Sequence, residues 1–335
     1  MKTDPKISRV GILGGAGYTG GELIRLLLNH PAAQLAFVQS RSQAGKPVSS
    51  VHTDLRGTTE LSFVERADGQ AFESIEVLFL ALPHGESRKF LAENLLPESL
   101  RIIDLSNDFR LGRESTCGTR TFTYGLPEAD REQICNSLSV ANPGCFASAI
   151  QFALLPLAKN GLLQPVAITG ITGSTGAGQK PSETTHFSFR ANNIQPYKTL
   201  SHQHVPEIEE TLGRVQGRSA EGMISFIPWR GDFTRGIFIS AQTSCPRSLR
   251  DVETLYRDYY RSHPFIHISV DPIDLKSVVN TNRVLIGLEK TNETLALHCS
   301  IDNLLKGASG QAVQNFNLMM GNPETLGLQL KGTAF

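Results

Sequence analysis

The chain has 335 residues, which is long enough for two domains that each bury a hydrophobic core. Lysine plus arginine and aspartate plus glutamate both number 32, so the zero net charge argues against nucleic acid or an anionic membrane surface as the main partner. No apolar run reaches the ~18 residues of a membrane span, and the first residues lack the apolar core of a signal peptide, so we expect no membrane partner.

A glycine-rich segment near the start of the chain predicts a nucleotide-binding turn. Residues 9–13 form an apolar run typical of a strand, and residues 22–28 have helical spacing of leucines. Between them, Gly14, Gly17 and Gly20 would let the backbone approach a pyrophosphate, which the helix N-terminus would also attract. A merely tight turn is the alternative. The order of strand, turn and helix favours dinucleotide binding.

Further apolar runs predict the other strands of the same sheet. Near-continuous apolar strands are typical of a parallel sheet that is covered on both faces, so they indicate a doubly wound, Rossmann-type α/β domain. Pro83 follows one of these runs and is expected on the cofactor side of the sheet. The runs lie at residues 35–38, 76–81, 101–105 and 138–141.

The end of the second predicted strand indicates which dinucleotide is bound. An NAD site usually has Asp or Glu there, but this chain has Ser40, Arg41 and Ser42 with no carboxylate nearby. A guanidinium flanked by hydroxyls suits a 2′-phosphate, because Arg forms charge-assisted bidentate bonds to phosphate. The alternative is a solvated loop arginine. We predict NADP as the cofactor.

One of the five cysteines is predicted to be a nucleophile. Cys145 follows Asn142-Pro143-Gly144 and opens a mostly apolar helical segment at residues 145–155. A helix N-terminus favours the thiolate, which is the reactive form. A buried structural cysteine is the alternative, and it is our expectation for the other four. Because the chain has no C-x-x-C pair, we expect neither a disulfide framework nor a zinc site, and a reducing cytoplasm fits.

Two histidines separated by one residue are candidates for acid–base chemistry. In an extended segment, His202 and His204 would face the same way and could serve one site. With Glu207 they could also be metal ligands, but no complete ligand set accompanies them, so no metal is predicted. The near-neutral pKa of imidazole suits proton transfer beside a thiol.

A second glycine loop follows the apolar run at residues 166–171. The segment 173–180 resembles a phosphate loop but is not a Walker A motif, because the lysine is one position late and Pro181 replaces Ser or Thr. ATP hydrolysis is therefore disfavoured. Gly176 and Ala177 are predicted to contact a phosphate or the nicotinamide, with a plain tight turn as the alternative.

At this point the chain resembles the N-acetyl-gamma-glutamyl-phosphate reductase family, which is related to aspartate-semialdehyde dehydrogenases. The resemblance covers nearly the whole chain, and the cysteine and double-histidine motifs together are its most specific part. Phe146-Ala147-Ser148 stands where the family often has Tyr-Pro-Thr, and Gln203 replaces a common arginine. The motifs are 14–20, 104–110, 124–128, 142–145, 176–178, 202–208 and 302–315.

The resemblance implies a Rossmann domain and an inserted α/β (α+β) domain for catalysis and dimerisation. We predict residues 1–144 and 305–335 for the NADP-binding domain and 145–304 for the inserted domain. In the second range, apolar or alternating runs predict strands, and Ser248 is a plausible N-cap of a helix. The runs are 223–227, 237–241, 284–288 and 295–299, and a last helix is predicted over 309–320. A homodimer or homotetramer is expected.

The resemblance also implies site residues. Tyr18, Thr19, Asn303 and Gln311 would contact the cofactor, and Arg110, Asn142 and Glu207 the substrate. Glu207 could instead orient a histidine or favour the start of a helix near Pro206.

The implied reaction is NADPH-dependent reduction of N-acetyl-gamma-glutamyl phosphate through a Cys145 thioester, a step of arginine biosynthesis, with His202 favoured as the proton donor and His204 as a substrate-orienting group. Reduction of aminoadipyl or aspartyl phosphate is the alternative in the same class. A cysteine hydrolase and a non-catalytic NADP sensor are alternatives in other classes.

Overall fold

A computed structural model describes residues 6–333, so the extreme ends of the predicted domain ranges lie outside the described residues. The chain forms two units, and it passes from the first to the second between Pro143 and Gly144. The first unit also takes Ala308–Gln329, and the second takes Gly144–Gly307 and the chain from Leu330. The predicted domain boundaries differ from this division by one residue at the first crossing and by three at the second, and they assigned the last residues to the first domain.

The first unit contains a seven-stranded sheet whose order is β3-β2-β1-β4-β5-β9-β8. Every pairing in it is parallel. Its strands are β1 Ser8–Leu13, β2 Ala33–Gln39, β3 Phe63–Val64, β4 Val77–Leu80, β5 Arg101–Asp104, β8 Thr123–Tyr124 and β9 Ser139–Ala141. A separate two-stranded ribbon consists of β6 Thr116–Cys117 and β7 Arg120–Thr121. Its first helices are α1 Tyr18–Leu28, α2 Val48–Val51, α3 Gly69–Glu73, α4 Glu86–Glu93 and α5 Pro127–Cys135.

The strand order of this sheet reverses next to β1, which places a topological switch point there. β1 pairs with β2 on one side and with β4 on the other, as in dinucleotide-binding folds. β4 is buried at every position, which explains why its sequence is an uninterrupted apolar run. Ligands of such sheets bind beyond the carboxyl ends of the strands at the switch point.

The second unit is built on a mixed seven-stranded sheet whose order is β11-β12-β10-β13-β16-β15-β14. Its strands are β10 Val166–Thr172, β11 Gln195–Pro196, β12 Ile224–Arg230, β13 Ile237–Ser244, β14 Ile266–Ser269, β15 Val284–Thr291 and β16 Thr294–Ile301. Its helices are α6 Cys145–Lys159, α7 Phe187–Arg190, α8 Val205–Gln216 and α9 Leu249–Tyr260. Burial alternates along β13, as expected for a sheet with only one covered face.

Helix α6 is the central helix of the second unit. It packs against β13, β15 and β16 of the sheet and against α8 and α9. Every residue from Phe146 to Ala158 is buried, so the mostly apolar helix is covered on all sides. The predicted N-cap of α9 is confirmed, since the Ser248 side chain accepts a hydrogen bond from the Asp251 amide.

The chain then enters a π-helical turn, Leu305–Ser309, which is followed by helix α10, Gly310–Met319. Within the first unit, α10 packs against α1, α5 and β5. All its residues are buried. The prediction of a single α-helix over 309–320 missed the π-helical turn that precedes α10. The doubly wound sheet and the second α/β unit are confirmed.

Candidate active site

The glycine turn between β1 and α1 has the geometry of a dinucleotide-binding loop. Gly14 has a φ of +83°, and a Cβ there would lie 2.2 Å from the Ala81 carbonyl oxygen. A Cβ on Gly20 would lie 2.6 Å from the Gly14 oxygen. By contrast, a Cβ on Gly17 would have no neighbour closer than 3.9 Å. The chain's own packing therefore requires Gly14 and Gly20, whereas Gly17 leaves open space at the helix N-terminus, where the backbone of this fold approaches a pyrophosphate.

The first residues of α1 leave the helix N-terminus available to an anion. Gly17 caps the helix without a side-chain hydrogen bond, and the N–H groups of a first helical turn have no partner within the helix. Tyr18 is 39% exposed at this end. The Thr19 carbonyl accepts a bond from the Ser309 hydroxyl at 2.8 Å. This turn fits a dinucleotide, and the individual contacts of Tyr18 and Thr19 stay predictions.

Arg41 lies just beyond the carboxyl end of β2. Its side chain is exposed, and it forms no ion pair within residues 6–333. Ser40 is buried, and its hydroxyl lies 3.4 Å from that of Ser42. Pro83 follows β4 and is exposed beyond the carboxyl end of that strand. These positions are on the ligand-binding edge of the sheet, as the sequence analysis expects for a 2′-phosphate site.

Three polar residues assigned to ligand binding are engaged in the interior of the first unit. Arg110 donates to the carbonyls of Asn142 and Leu105 at 2.9 and 3.0 Å. The Asn142 side chain, 1% exposed, donates to the Ala308 carbonyl and accepts from Asn315. Gln311 is fully buried and donates to the Gly125 carbonyl. These bonds give all three residues a scaffolding role, and their ligand contacts stay predictions.

In the second unit, Cys145 is the first residue of α6, as predicted. Its backbone surroundings are closely packed. The Gly144 amide donates to the Glu207 carboxylate at 2.8 Å, and a Cβ on Gly307 would lie 2.9 Å from the Cys145 Cβ. Glu207 is 4% exposed in the first turn of α8. It therefore fixes the turn that precedes the thiol, a role the sequence analysis did not consider.

His202 and His204 adjoin this turn, although they do not lie on one side of an extended segment as predicted. The segment is a turn rather than an extended strand, and His204 has helical backbone angles as the N-cap of α8. The two rings are 4.7 Å apart in an edge-to-face arrangement. A Cβ on Gly144 would lie 2.3 Å from the His204 Nε2, so the imidazole covers the glycine directly before Cys145. Gly144 is the residue that makes room for this ring.

His202 lies in an aromatic enclosure and is neutral at physiological pH. Its ring makes edge contacts with Phe146, Phe226 and Tyr197, and the residue is 3% exposed. Burial, together with the nearby charge of Lys198, lowers the pKa of His202 to about 4. The His204 amide donates to its Nδ1 at 3.3 Å, which requires that nitrogen to be unprotonated. His202 is thus a proton acceptor that supports the backbone of His204.

Two residues of this cluster were missed by the sequence analysis. Tyr197 follows β11, and the Arg230 guanidinium at the end of β12 stacks 4.8 Å from the centre of its ring. Burial raises the pKa of Tyr197 well above the ordinary value, and the nearby Cys145 thiolate raises it further. Lys198 and Leu200 both have positive φ. Such strain clusters at functional sites, but nothing in the local sequence marks these residues.

The first backbone amides of the second glycine loop are engaged by the chain itself. The amides of Gly173, Ser174 and Thr175 donate to the carbonyls of Gly236, Phe233 and Thr234. Gly176 and Ala177 are exposed. Asn303, 2% exposed, accepts from the Gly236 amide and donates to Thr175, so it holds the loop in place. The cofactor contacts of Gly176, Ala177 and Asn303 stay predictions.

The remaining cysteines differ from each other in burial. Cys245 and Cys299 are buried, as expected of structural cysteines. Cys117 is half-buried and Cys135, at the end of α5, is exposed. The expectation of a buried structural cysteine is therefore wrong for Cys135.

Comparisons with known proteins agree with the fold and the motifs. Residues 9–137 match the family model described as semialdehyde dehydrogenase, NAD binding domain. Residues 145–303 match semialdehyde dehydrogenase, dimerisation domain. Within the described part of the chain, no helix is long and apolar enough to cross a bilayer.

Solved structures at low sequence identity share the fold. Aspartate semialdehyde dehydrogenase II from Vibrio cholerae, complexed with ASA, has a TM-score of 0.72 at 18% identity and covers 94% of this chain and 99% of its own. The aspartate semialdehyde dehydrogenase with NADP from Candida albicans has a TM-score of 0.68 at 16% identity, covering 94% and 98%.

Curated relatives are far more similar in sequence. N-acetyl-gamma-glutamyl-phosphate reductase of Phocaeicola vulgatus is 51% identical over 98% of this chain and 99% of its own length. The proteins of that name from Bacteroides thetaiotaomicron and Flavobacterium johnsoniae are 50% and 48% identical, over 98% and 97% of this chain and 99% of each relative. The chain therefore belongs to the N-acetyl-gamma-glutamyl-phosphate reductase family of semialdehyde dehydrogenases.

Proposed function

We propose that this chain reduces N-acetyl-gamma-glutamyl phosphate to the 5-semialdehyde and inorganic phosphate with NADPH, as a step of arginine biosynthesis. The observation that carries the proposal is the geometry around Cys145. The thiol opens helix α6, the Glu207 carboxylate holds the preceding amide, and the His204 ring covers Gly144. This arrangement suits covalent catalysis by a thiolate with an imidazole beside it.

The first half-reaction is acyl transfer to sulfur. The Cys145 thiolate attacks the acyl carbon, a C–S bond forms, and the carbonyl oxygen takes the displaced electron pair. First-turn N–H groups of α6 have no partner within the helix and can stabilise that oxyanion. When the carbonyl reforms, the bond between the acyl carbon and the bridging oxygen of the phosphate breaks, and inorganic phosphate leaves with the electron pair. The product on the enzyme is a Cys145 thioester.

The second half-reaction releases the aldehyde. When bound, NADPH supplies the hydride that reduces the thioester. In the resulting Cys145 thiohemiacetal, the C–S bond breaks, the sulfur keeps the electron pair, and the carbonyl of the semialdehyde forms. His204 stabilises the oxygen by donating a proton when the thiohemiacetal forms and recovers that proton when the carbonyl reforms.

We assign the acid–base role to His204 rather than to His202, which the sequence analysis favoured. The pKa of His202 is lowered to about 4, so at physiological pH the ring lacks the second proton of an imidazolium, and its Nδ1 accepts a hydrogen bond from the His204 amide. His204 covers the residue before the nucleophile. His202 is a positioning residue that supports the His204 backbone within its aromatic enclosure.

The residues that would hold NADP are the turn glycines, with Gly17 at the pyrophosphate, and Arg41 with its two flanking serines at the 2′-phosphate. Support for the first comes from the open space at Gly17, and for the second from the exposed, unpaired Arg41 side chain beyond β2. Pro83 would border the nicotinamide side. We further propose a homodimer or homotetramer, in line with the matched dimerisation domain. A cytoplasmic location stays a prediction from cysteine usage.

The reverse reaction provides the test. Purified enzyme should reduce NADP in the presence of N-acetylglutamate 5-semialdehyde and phosphate, and the aminoadipate and aspartate semialdehydes should be poor substrates. Cys145→Ser should lower kcat by about 10⁴-fold or more, because the alkoxide equivalent is not available at neutral pH. Cys135→Ser, at an exposed thiol, is the matched control and should be fully active. Turnover retained by Cys145→Ser, or a preference for another semialdehyde, would contradict the proposal.

A further inference from the structure

Arg230 carries a guanidinium whose hydrogen-bonding capacity is incompletely used. It is half-buried at the end of β12, and its Nε is buried without a hydrogen-bond partner. Its recorded contact is with Tyr197, through stacking at 4.8 Å and the phenol oxygen. No carboxylate within residues 6–333 forms an ion pair with it. A partly desolvated guanidinium without a counter-charge is costly unless an anion is supplied from outside the chain.

A continuous series of contacts connects Arg230 to the nucleophile. Tyr197 lies 5.8 Å from the His202 ring, measured between ring centres. His202 lies 4.7 Å from His204, and His204 covers Gly144, the residue before Cys145. The Tyr197 phenol is also close enough for the Cys145 thiolate to affect its ionisation. Arg230 therefore belongs to the cluster that contains the reactive sulfur.

The backbone holds Arg230 and Tyr197 in register. Gln195 of β11 is the pairing partner of Arg230 in β12, and the Tyr197 amide donates to the Pro228 carbonyl at 3.0 Å. The stacked pair is thus fixed by two adjacent strands rather than by a mobile loop. Such preorganisation lowers the entropy cost of binding an anion.

The charges around the cluster are mainly positive. Lys198 donates to the side-chain oxygen of Gln203, which is neutral, and it is close enough to His202 to oppose protonation of that ring. The Glu207 carboxylate is hydrogen-bonded to the Gly144 amide. Lys198 and Arg230 therefore give the cluster two cations, while the Glu207 carboxylate is engaged in fixing the backbone. An anionic part of the substrate is the complement of this arrangement.

We propose that Arg230, stacked on Tyr197, is a specificity-determining residue that binds the carboxylate of the amino-acid portion of the substrate. The inference rests on the proposed function. A carboxylate matches the planar fork of a single guanidinium in bidentate geometry. It also remains on the substrate through both half-reactions, so a fixed ligand for it would hold the acyl carbon at Cys145 while phosphate departs.

The reverse reaction separates the two anions, because the semialdehyde carries the carboxylate and phosphate is added separately. In Arg230→Gln, we expect the KM for the semialdehyde to rise about 10- to 100-fold, with the KM values for phosphate and NADP within about twofold of wild type. The semialdehyde KM of Arg230→Lys should lie between those of wild type and Arg230→Gln, since an ammonium keeps the positive charge but cannot form the bidentate hydrogen bonds of a guanidinium. Arg250→Gln, at an exposed arginine on α9, is the control.

A substrate analogue makes the test independent of how much variant folds. Wild-type enzyme should discriminate against the semialdehyde whose carboxylate is replaced by a carboxamide, and Arg230→Gln should lose most of that discrimination. Tyr197→Phe keeps the ring and removes the hydroxyl, so it should raise the semialdehyde KM only a few fold. A rise confined to the phosphate KM, or unchanged discrimination in Arg230→Gln, overturns the inference. An inactive wild type with every semialdehyde would instead reject the proposed function.

Discussion

The candidate binding surface of the first unit and the candidate site of the second unit differ in whether backbone or side-chain groups form them. In the first unit, the candidate binding surface is mostly backbone: glycines at the β1–α1 turn and the N–H groups of a helix end. Its conspicuous polar side chains, Arg110 and Asn142, hold the interior together. In the second unit, the candidate site consists of side chains that support each other, from Cys145 to His202. Adding a Cβ to a turn glycine should therefore impair folding or cofactor binding in the first unit. Replacing a side-chain functional group should impair catalysis in the second unit.

The histidine pair should show the largest effect. His204→Asn is expected to lower kcat by about 10²- to 10⁴-fold, because it removes the proton carrier beside the thiol. His202→Asn keeps an acceptor atom near the position of Nδ1 and should lower kcat by roughly tenfold or less. Steady-state kinetics provides the measurement, with kcat and the semialdehyde KM determined for both variants. A larger loss in His202→Asn would reverse the assignment.

Two glycines of the β1–α1 turn, Gly14 and Gly17, form a matched pair of positions for substitution. Gly14→Ala should destabilise the protein by about 3 kcal/mol, because a Cβ there meets the Ala81 carbonyl at 2.2 Å in a left-handed backbone conformation. Gly17→Ala meets nothing closer than 3.9 Å and should fold normally, but should weaken NADPH binding about tenfold or more. Urea unfolding and cofactor titration measure the two effects. NADPH binding of wild-type strength in Gly17→Ala would place the pyrophosphate elsewhere.

Two buried groups, one in each unit, should contribute to stability with opposite pH dependences. Burial raises the pKa of Asp104, in the first unit, to about 6, so the folded state holds a proton that the unfolded chain loses near pH 4. Stability from this group falls as the pH rises from about 4 to 6. The pKa of His202 is lowered to about 4, so the unfolded chain binds the extra proton below about pH 6.5. Stability from that group rises with pH over about 4 to 6.5.

Each contribution amounts to roughly 3 kcal/mol, so the two nearly cancel in the wild type. Asp104→Asn should gain stability relative to wild type as the pH rises from 4 to 6. His202→Asn should gain relative stability as the pH falls over the same range. Urea unfolding at intervals from pH 4 to 7 provides the comparison. Parallel pH profiles for the two variants would contradict the opposite signs.

Arg41 should show the smallest effect. Arg41→Ala is expected to reduce the preference for NADPH over NADH by roughly 10- to 50-fold, since it removes one charge-assisted contact to the 2′-phosphate. The NADPH and NADH Michaelis constants give the measurement. Arg56→Ala, at another exposed arginine of the first unit, is the control. If Arg41→Ala left both constants unchanged, Arg41 would be a solvated loop residue.

Local sequence signals predicted the elements well where one face or both faces of an element are uniformly apolar. The β1–α1 unit, strands β2, β4, β5 and β9 and the start of α6 at Cys145 follow from short-range periodicity and turn residues, whereas the two-residue strands β3 and β8 were not predicted. The family resemblance, based on the cysteine and histidine motifs, is confirmed by relatives about 50% identical over nearly the whole chain. Local rules failed at residues 202–204, where tertiary packing produces a turn instead of an extended segment.

The sequence by itself determined the two α/β units, the position of the thiol at a helix N-terminus and the membership of the family, because these depend on residues close together in the chain. Only the tertiary structure decided which polar side chains form hydrogen bonds within the protein interior. Asn142 and Gln311 are engaged in its hydrogen bonds, whereas Arg230 meets Tyr197 across two strands. Side chains compete for partners that are distant in sequence, and that competition is resolved only when the sheets and helices pack.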